Sequence, residues 1–173
     1  MTCRFHNPTL TGNVAGNRLT DEDSMADEKD RNKALALEFM VANDHNDALA
    51  LANMYAEDGT HTVMGTTPIS GTYTKQQMLA AAGAIFAPFP GGKPAKVVGI
   101  VAEGDTVAVE IDSPAVHESG LMYHQQIHWI LRFRDSMLVQ TKEYLDTQLV
   151  IDVLCGGGTV VPASPETTPS TAE

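Results

Sequence analysis

The sequence predicts an α+β domain in which helices pack on one face of a long antiparallel sheet and leave a cavity between the two layers. Three observations carry that expectation. The first half of the chain has helical periodicity, with apolar residues recurring at three and four positions. Beyond Lys93 the apolar residues alternate instead, as strands with one buried face do. At 173 residues the chain is long enough for one core and short for two.

Asp27 to about Asn43 reads as the first helix, with Leu35, Phe39 and Ala42 on one face and acidic residues in the first turn, where they complement the dipole. Asp44-His45-Asn46-Asp47 interrupts it, and Asn46 or Asp47 can cap a second helix through Ala56. Thr60 to Met64 reads as a short strand that ends in a Gly65 to Ser70 loop. Thr74 can cap a third helix whose buried stripe is Met78, Leu79, Ala82, Ile85 and Phe86. Pro88, Pro90, Gly91 and Gly92 stop that helix. Val97 to Ala102 and Thr106 to Ser113 flank a turn at Glu103-Gly104-Asp105, and Leu121 to Phe133 and Met137 to Thr147 flank one at Arg134-Asp135-Ser136. Residues 1–26 lack periodicity and read as a disordered extension. Residues 155–173 read as a disordered tail rich in Pro, Thr and Ser, which leaves 27–154 as the working domain.

Composition narrows the function. Net charge is −11, and no Lys/Arg patch interleaved with aromatics appears, so a nucleic-acid partner is not expected. No apolar run approaches the length of a membrane span, and the start of the chain has no apolar secretory core, so the expected location is cytoplasmic. Cys3 and Cys155 read as two free thiols without metal-ligand spacing. His124 and His128 share a strand face but stand about 13 Å apart, too far for one ion, so no metal is expected. No cofactor motif is present either; Gly156-Gly-Gly158 lacks the strand–loop–helix setting that phosphate binding needs.

Strand parity selects the residues that face the cavity. On one strand Val107, Val109, Ile111 and Ser113 share the apolar face. On the next, Tyr123, Gln125, Ile127, Trp129, Leu131 and Phe133 outweigh His124, Gln126, His128, Ile130 and Arg132. Thr141, Glu143 and Leu145 share a face on the last strand, with Tyr144 and Asp146 opposite.

The Ala56-Glu-Asp turn, Pro68-Ile-Ser-Gly71, Val101-Ala-Glu-Gly-Asp105 followed by Val107-Ala-Val-Glu110, and Arg132-Phe-Arg-Asp135 followed by Glu143-Tyr-Leu-Asp146 resemble the nuclear-transport-factor-2-like superfamily, in its SnoaL-like and ketosteroid-isomerase-like branch. The resemblance spans most of residues 30–153. It implies a cone-shaped, curved sheet wrapped by three N-terminal helices around a small-molecule cavity, and a homodimer. Carried over residue by residue, it argues against two mechanisms. Limonene-epoxide-hydrolase-like enzymes place an Arg and an Asp where this chain has Ile111 and Ser113, a third carboxylate at Glu143, and a Tyr and an Asn at His61 and Val63. Ketosteroid isomerases place a base near Thr62 or Val63 and an acid near Trp129, and none of these is ionisable here. SnoaL-like cyclases keep an Asp near the end of the last strand, at about Asp146.

The remaining expectation is a cofactor-independent acid–base enzyme, a lyase, isomerase or cyclase, acting on an apolar cyclic or aromatic molecule. His61, Glu143 and Asp146 are its candidate catalytic residues. Asn43, Val63, Ile111, Tyr123, Gln125, Ile127 and Trp129 are its candidate substrate contacts. A carboxylate on an apolar wall is held toward neutrality, and histidine titrates near neutral pH unaided. The alternatives are a protein of the same fold that binds a small molecule without changing it, and an interaction subunit. The homodimer is expected through the convex sheet face, where His124 and His128 lie.

Overall fold

Two helices, α1 (Asp21–Asp44) and α2 (Ala48–Met54), open the part of the chain that the computed structural model describes, residues 21–156. Strands β1 (Tyr55–Val63) and β2 (Gly71–Thr74) then precede helix α3 (Lys75–Phe86). Strands β3 (Lys96–Glu103), β4 (Thr106–Val116), β5 (Met122–Arg134) and β6 (Met137–Tyr144) follow as a meander. A short helix α4 (Thr147–Leu149) and a π-helical turn (Val150–Leu154) close it. Most of the expected N-terminal extension and C-terminal tail, and with them Cys3, lie outside the described residues.

One sheet contains all six strands in the order β2-β1-β6-β5-β4-β3. Its expected wholly antiparallel character is corrected here: β1 and β6 run parallel, so the sheet is mixed. The chain passes through α3 and the whole meander before β6 returns beside β1, and a connection of that length permits parallel pairing where a tight turn does not. The parallel pair sets His61 level with Thr141 and Val63 level with Glu143, and β5 aligns Trp129 with Glu143. In this way the sheet assembles residues from distant parts of the sequence on one face.

Several boundaries shift. Helix α1 is already helical at Asp21, the first described residue and six before the expected Asp27. Asp47 caps α2 by accepting from Ala50 N at 2.9 Å. Helix α2 stops at Met54, short of Ala56, because Tyr55 turns extended and buries its ring. Strand β1 absorbs Ala56-Glu-Asp-Gly59 as a bulge against β6. A Cβ at Gly59 would stand 2.7 Å from Leu138 O, so the bulge needs glycine there. Strand β2, only four residues long, carries too little periodicity to be seen in sequence.

Thr74 and Gln77 form a capping box on α3, as the sequence implied for Thr74. The α3 stripe departs from expectation, since Leu79 is 47% and Ile85 48% exposed while Ala82 is buried. Both exposed residues border the cavity described below. The parity expected of β4 and β5 is what the structure shows: Val107, Val109, Ile111 and Ser113 are buried, as are Tyr123, Gln125, Ile127, Trp129, Leu131 and Phe133. These strands pack against Ala36, Phe39 and Met40 of α1 in one core.

Candidate active site in the sheet–helix cavity

Between the sheet and helices α1 to α3 lies a cavity of about 450 Å³, within the range typical of small-molecule pockets. Its wall is largely apolar, with Phe39, Leu51, Ile69, Met78, Ala82 and Ile127 among the lining residues. Polar groups enter at few points, chiefly His61 from β1, Glu143 from β6, Tyr123 from β5 and Lys93 from the loop after α3.

His61 and Glu143 meet diagonally across the parallel pair, with Nε2 3.6 Å from a Glu143 carboxylate oxygen. Each side chain is 15% exposed, and since both line the cavity that exposure is to its interior. The imidazole stacks on the Trp129 indole at 5.4 Å between centroids and on the Tyr73 ring at 6.5 Å. Its other nitrogen, Nδ1, lies 2.8 Å from Thr141 Oγ1, which in turn lies 2.6 Å from the Tyr55 hydroxyl. Burial pushes the Tyr55 phenol well above its usual range, so it keeps its proton. When Tyr55 donates to Thr141 and Thr141 donates to His61 Nδ1, these three side chains are mutually satisfied and Nε2–H points toward Glu143.

Burial displaces the ionisable groups in opposite directions. Loss of hydration holds the Glu143 carboxyl up to about 7, and the Lys93 ammonium counteracts only part of that rise. Loss of hydration, aided by the Lys93 charge, holds His61 down to about 4. The same cause lowers Lys93 to about 8, against the pull of Glu143. Near neutral pH the imidazole is therefore neutral, the carboxyl is divided between its two forms and the amine is largely protonated. Burial and the Glu143 charge together push the Tyr123 phenol up, so it too remains protonated.

The structure divides the expected site residues. His61, Glu143, Asn43, Val63, Tyr123, Ile127 and Trp129 all line the cavity. Ile111 lies instead in the hydrophobic core. Gln125 is buried and clamps the Asp146 backbone, accepting from its N at 2.9 Å and donating to its O at 3.1 Å. Asp146 lies beyond the end of β6 and caps α4, its carboxylate accepting from Gln148 N at 2.9 Å and Leu149 N at 3.1 Å. Both of these polar residues thus shape the chain that closes this end of the sheet.

Lys93 was not among the expected site residues. Its ammonium stands 4.2 Å from the Phe86 ring centroid and 5.9 Å from that of Phe89. The loop that carries it is tied to the end of α1: Lys93 N donates to Asp44 O at 3.1 Å, and Asn46 Nδ2 donates to Phe89 O at 3.0 Å. Gly92 has φ 78°, and a Cβ there would stand 2.5 Å from Asp44 O, so this close approach requires glycine. A lysine that follows Pro-Gly-Gly in sequence reads as a surface loop residue, and only these long-range bonds turn it inward.

No protein-family model matches the chain, and no curated protein matches it by sequence. Solved structures do match. AclR of Streptomyces galilaeus, a candidate hydroxylase, is 23% identical, with a TM-score of 0.60 over 80% of this chain and 90% of its own. Bal32a, from a soil-derived mobile gene cassette, is 16% identical, with a TM-score of 0.64 over 73% of this chain and 98% of its own. IdmH of Streptomyces antibioticus, a candidate polyketide cyclase, is 19% identical, with a TM-score of 0.59 over 72% and 98%. Others carry the NTF2-like description outright, including a Burkholderia thailandensis protein with a TM-score of 0.61 at 19% identity.

The chain has the NTF2-like fold. At these identities the likeness establishes the NTF2-like architecture and leaves the chemistry to the residues in the cavity. Among the described residues, no helix is long and apolar enough to cross a membrane.

Proposed function

We propose that the cavity is the active site of a cofactor-independent acid–base enzyme, a lyase, isomerase or cyclase, that acts on an apolar cyclic or aromatic molecule enclosed by the cone of sheet and helices. The observation that carries this reading is the His61–Glu143 pair, 3.6 Å apart inside an apolar cavity. A carboxyl poised at about 7 is matched to proton transfer at neutral pH, where both its forms are populated. Glu143 takes the proton from a carbon next to an activating carbonyl. Neutral His61, held by Thr141 and Tyr55, presents Nε2–H to the same space and supports the charge that develops. The Trp129 indole and the apolar lining of α3 hold the ring body of the substrate.

Hydrogen–deuterium exchange tests this even before the natural substrate is identified. A panel of enolisable cyclic ketones and aryl ketones is incubated with the protein in D2O, and loss of the α-proton signal is followed by NMR. The wild type accelerates exchange for at least one compound, and Glu143→Gln and His61→Ala each abolish the acceleration. Bound compounds that come back unexchanged and unaltered would instead identify a binding protein.

The homodimer belongs to the same reading, and the outer sheet face supports it. Val101, Ala108, Ile130 and Lys142 lie in register across four strands, and Val101 is 67% exposed. Ile130→Glu is expected to shift the sedimentation coefficient from dimer to monomer, and an unchanged coefficient would remove that face from consideration.

A further inference from the structure

Resting on the reading that the cavity takes an apolar ring compound, we propose that this compound bears an oxyanion, a carboxylate or a phenolate, and that the Lys93 ammonium is its binding partner. Three features of the structure lead there. Lys93 lines the cavity, yet among the described residues no carboxylate reaches ion-pair distance of its Nζ and no acceptor hydrogen-bonds it. Its contacts instead are the faces of Phe86 and Phe89, which orient an ammonium without neutralising it. The bonds from Asp44 and Asn46 hold its loop in place, so the charge is placed before any ligand arrives.

Charge balance points the same way. The chain as a whole carries −11, and its field repels an anion. A single cation in an apolar cavity reverses that locally, because attraction there is far stronger than in water. Between about 4 and 7 His61 is neutral and Glu143 is mostly protonated, so the three groups together present one positive charge. The same ammonium stabilises the enolate that forms when Glu143 removes a proton, which makes Lys93 a catalytic residue as well as a binding one.

Two isosteric probes separate this proposal from the reading beneath it. Binding of 2-naphthoate and of neutral 2-naphthamide is measured by calorimetry at pH 6 for wild type, Lys93→Met and Lys93→Arg, with circular dichroism to confirm folding. Wild type is expected to favour naphthoate by about tenfold or more, the scale of a charge-assisted hydrogen bond. Lys93→Met loses that preference while retaining naphthamide affinity, and Lys93→Arg keeps part of it. Equal affinity for the two probes in wild type overturns the proposal and leaves the apolar cavity standing. So does a Lys93→Met variant that weakens both probes alike. If neither probe binds wild type, the aromatic-ligand reading falls, and this proposal falls with it.

Discussion

The sheet carries two histidine–carboxylate pairs, one on each face, and the closer pair is the more exposed. On the outer face His124 Nε2 lies 2.6 Å from Asp112 Oδ1, with side chains 51% and 32% exposed. On the inner face His61 and Glu143 stand 3.6 Å apart, each 15% exposed. Within a single chain the closer pair is open to water, where solvent and salt weaken such a contact. The looser pair sits in an apolar cavity, where loss of hydration lifts Glu143 to about 7 and drops His61 to about 4. Environment, and not distance alone, sets what a histidine–carboxylate contact is worth.

Neutralising one carboxylate on each face tests this difference directly. Glu143→Gln is expected to lower α-proton exchange by about 10²- to 10⁴-fold, the usual range for a positioned acid–base group. Asp112→Asn is expected to leave the rate within about twofold, as surface changes away from a site do. Exchange rates under identical conditions, with matching circular dichroism spectra, decide the matter. Equal losses in the two variants would mean that the inner pair has no privileged chemistry.

Packing sharpens the same contrast. Leu131 on the inner face of β5 is fully buried, whereas its neighbour Arg132 faces outward and is 54% exposed at the side chain. Leu131→Ala is expected to cost about 2–5 kcal/mol in urea unfolding, the transfer and cavity cost of a buried leucine. Arg132→Ala is expected to change stability by no more than about 0.5 kcal/mol. A comparable loss at both positions would put apolar contact on the outer face of the monomer as well.

This inside–outside alternation was the most legible part of the sequence. A strand has a side-chain period of two, so one apolar set fixes every neighbour, and Tyr123 through Phe133 followed that rule. The same parity placed Glu143 and Trp129 on the cavity side. Three features were not legible, all of them set by contacts across long separations in sequence. The parallel pairing of β1 with β6 depends on where the chain returns after the meander. Thr141, which read only as a strand residue, joins Tyr55 to His61 through its hydroxyl. Lys93 turns inward because Asp44 and Asn46 capture its loop, and no local pattern announces those bonds. Asp146 failed as a cavity candidate for the converse reason: β6 ends at Tyr144, and the carboxylate then finds the free amides of α4.

The displaced inner groups also predict how stability varies with pH. Glu143 titrates near 4.5 when unfolded and about 7 when folded, so its contribution is fully present below 4.5 and is lost as pH rises through 7. His61 goes the other way, from 6.5 unfolded to about 4 folded, so its contribution is present above 6.5 and is lost as pH falls through 4. Between 4.5 and 6.5 the two slopes oppose each other and largely cancel in the wild type. Lys93 acts only in the alkaline range, between about 8 and 10.5. His61→Gln is therefore expected to lose stability as pH rises from 4.5 to 7, and Glu143→Gln to lose it as pH falls from 6.5 to 4. Each span is on the order of 3 kcal/mol. Urea midpoints across that range check the signs, and parallel curves for both variants would show that neither group is desolvated.

The outer pair itself is expected to contribute little to stability. His124 and Asp112 are joined by a short contact across β4 and β5, but both ends reach solvent. A double-mutant cycle over His124→Ala and Asp112→Ala, run in the monomeric Ile130→Glu background, is expected to give a coupling below about 1 kcal/mol. That coupling should shrink further in 1 M salt, where the screening length falls to about 3 Å. A larger coupling that survives salt in that background would mean that the pair is desolvated within a single chain, and the two faces would then differ less than their exposures indicate.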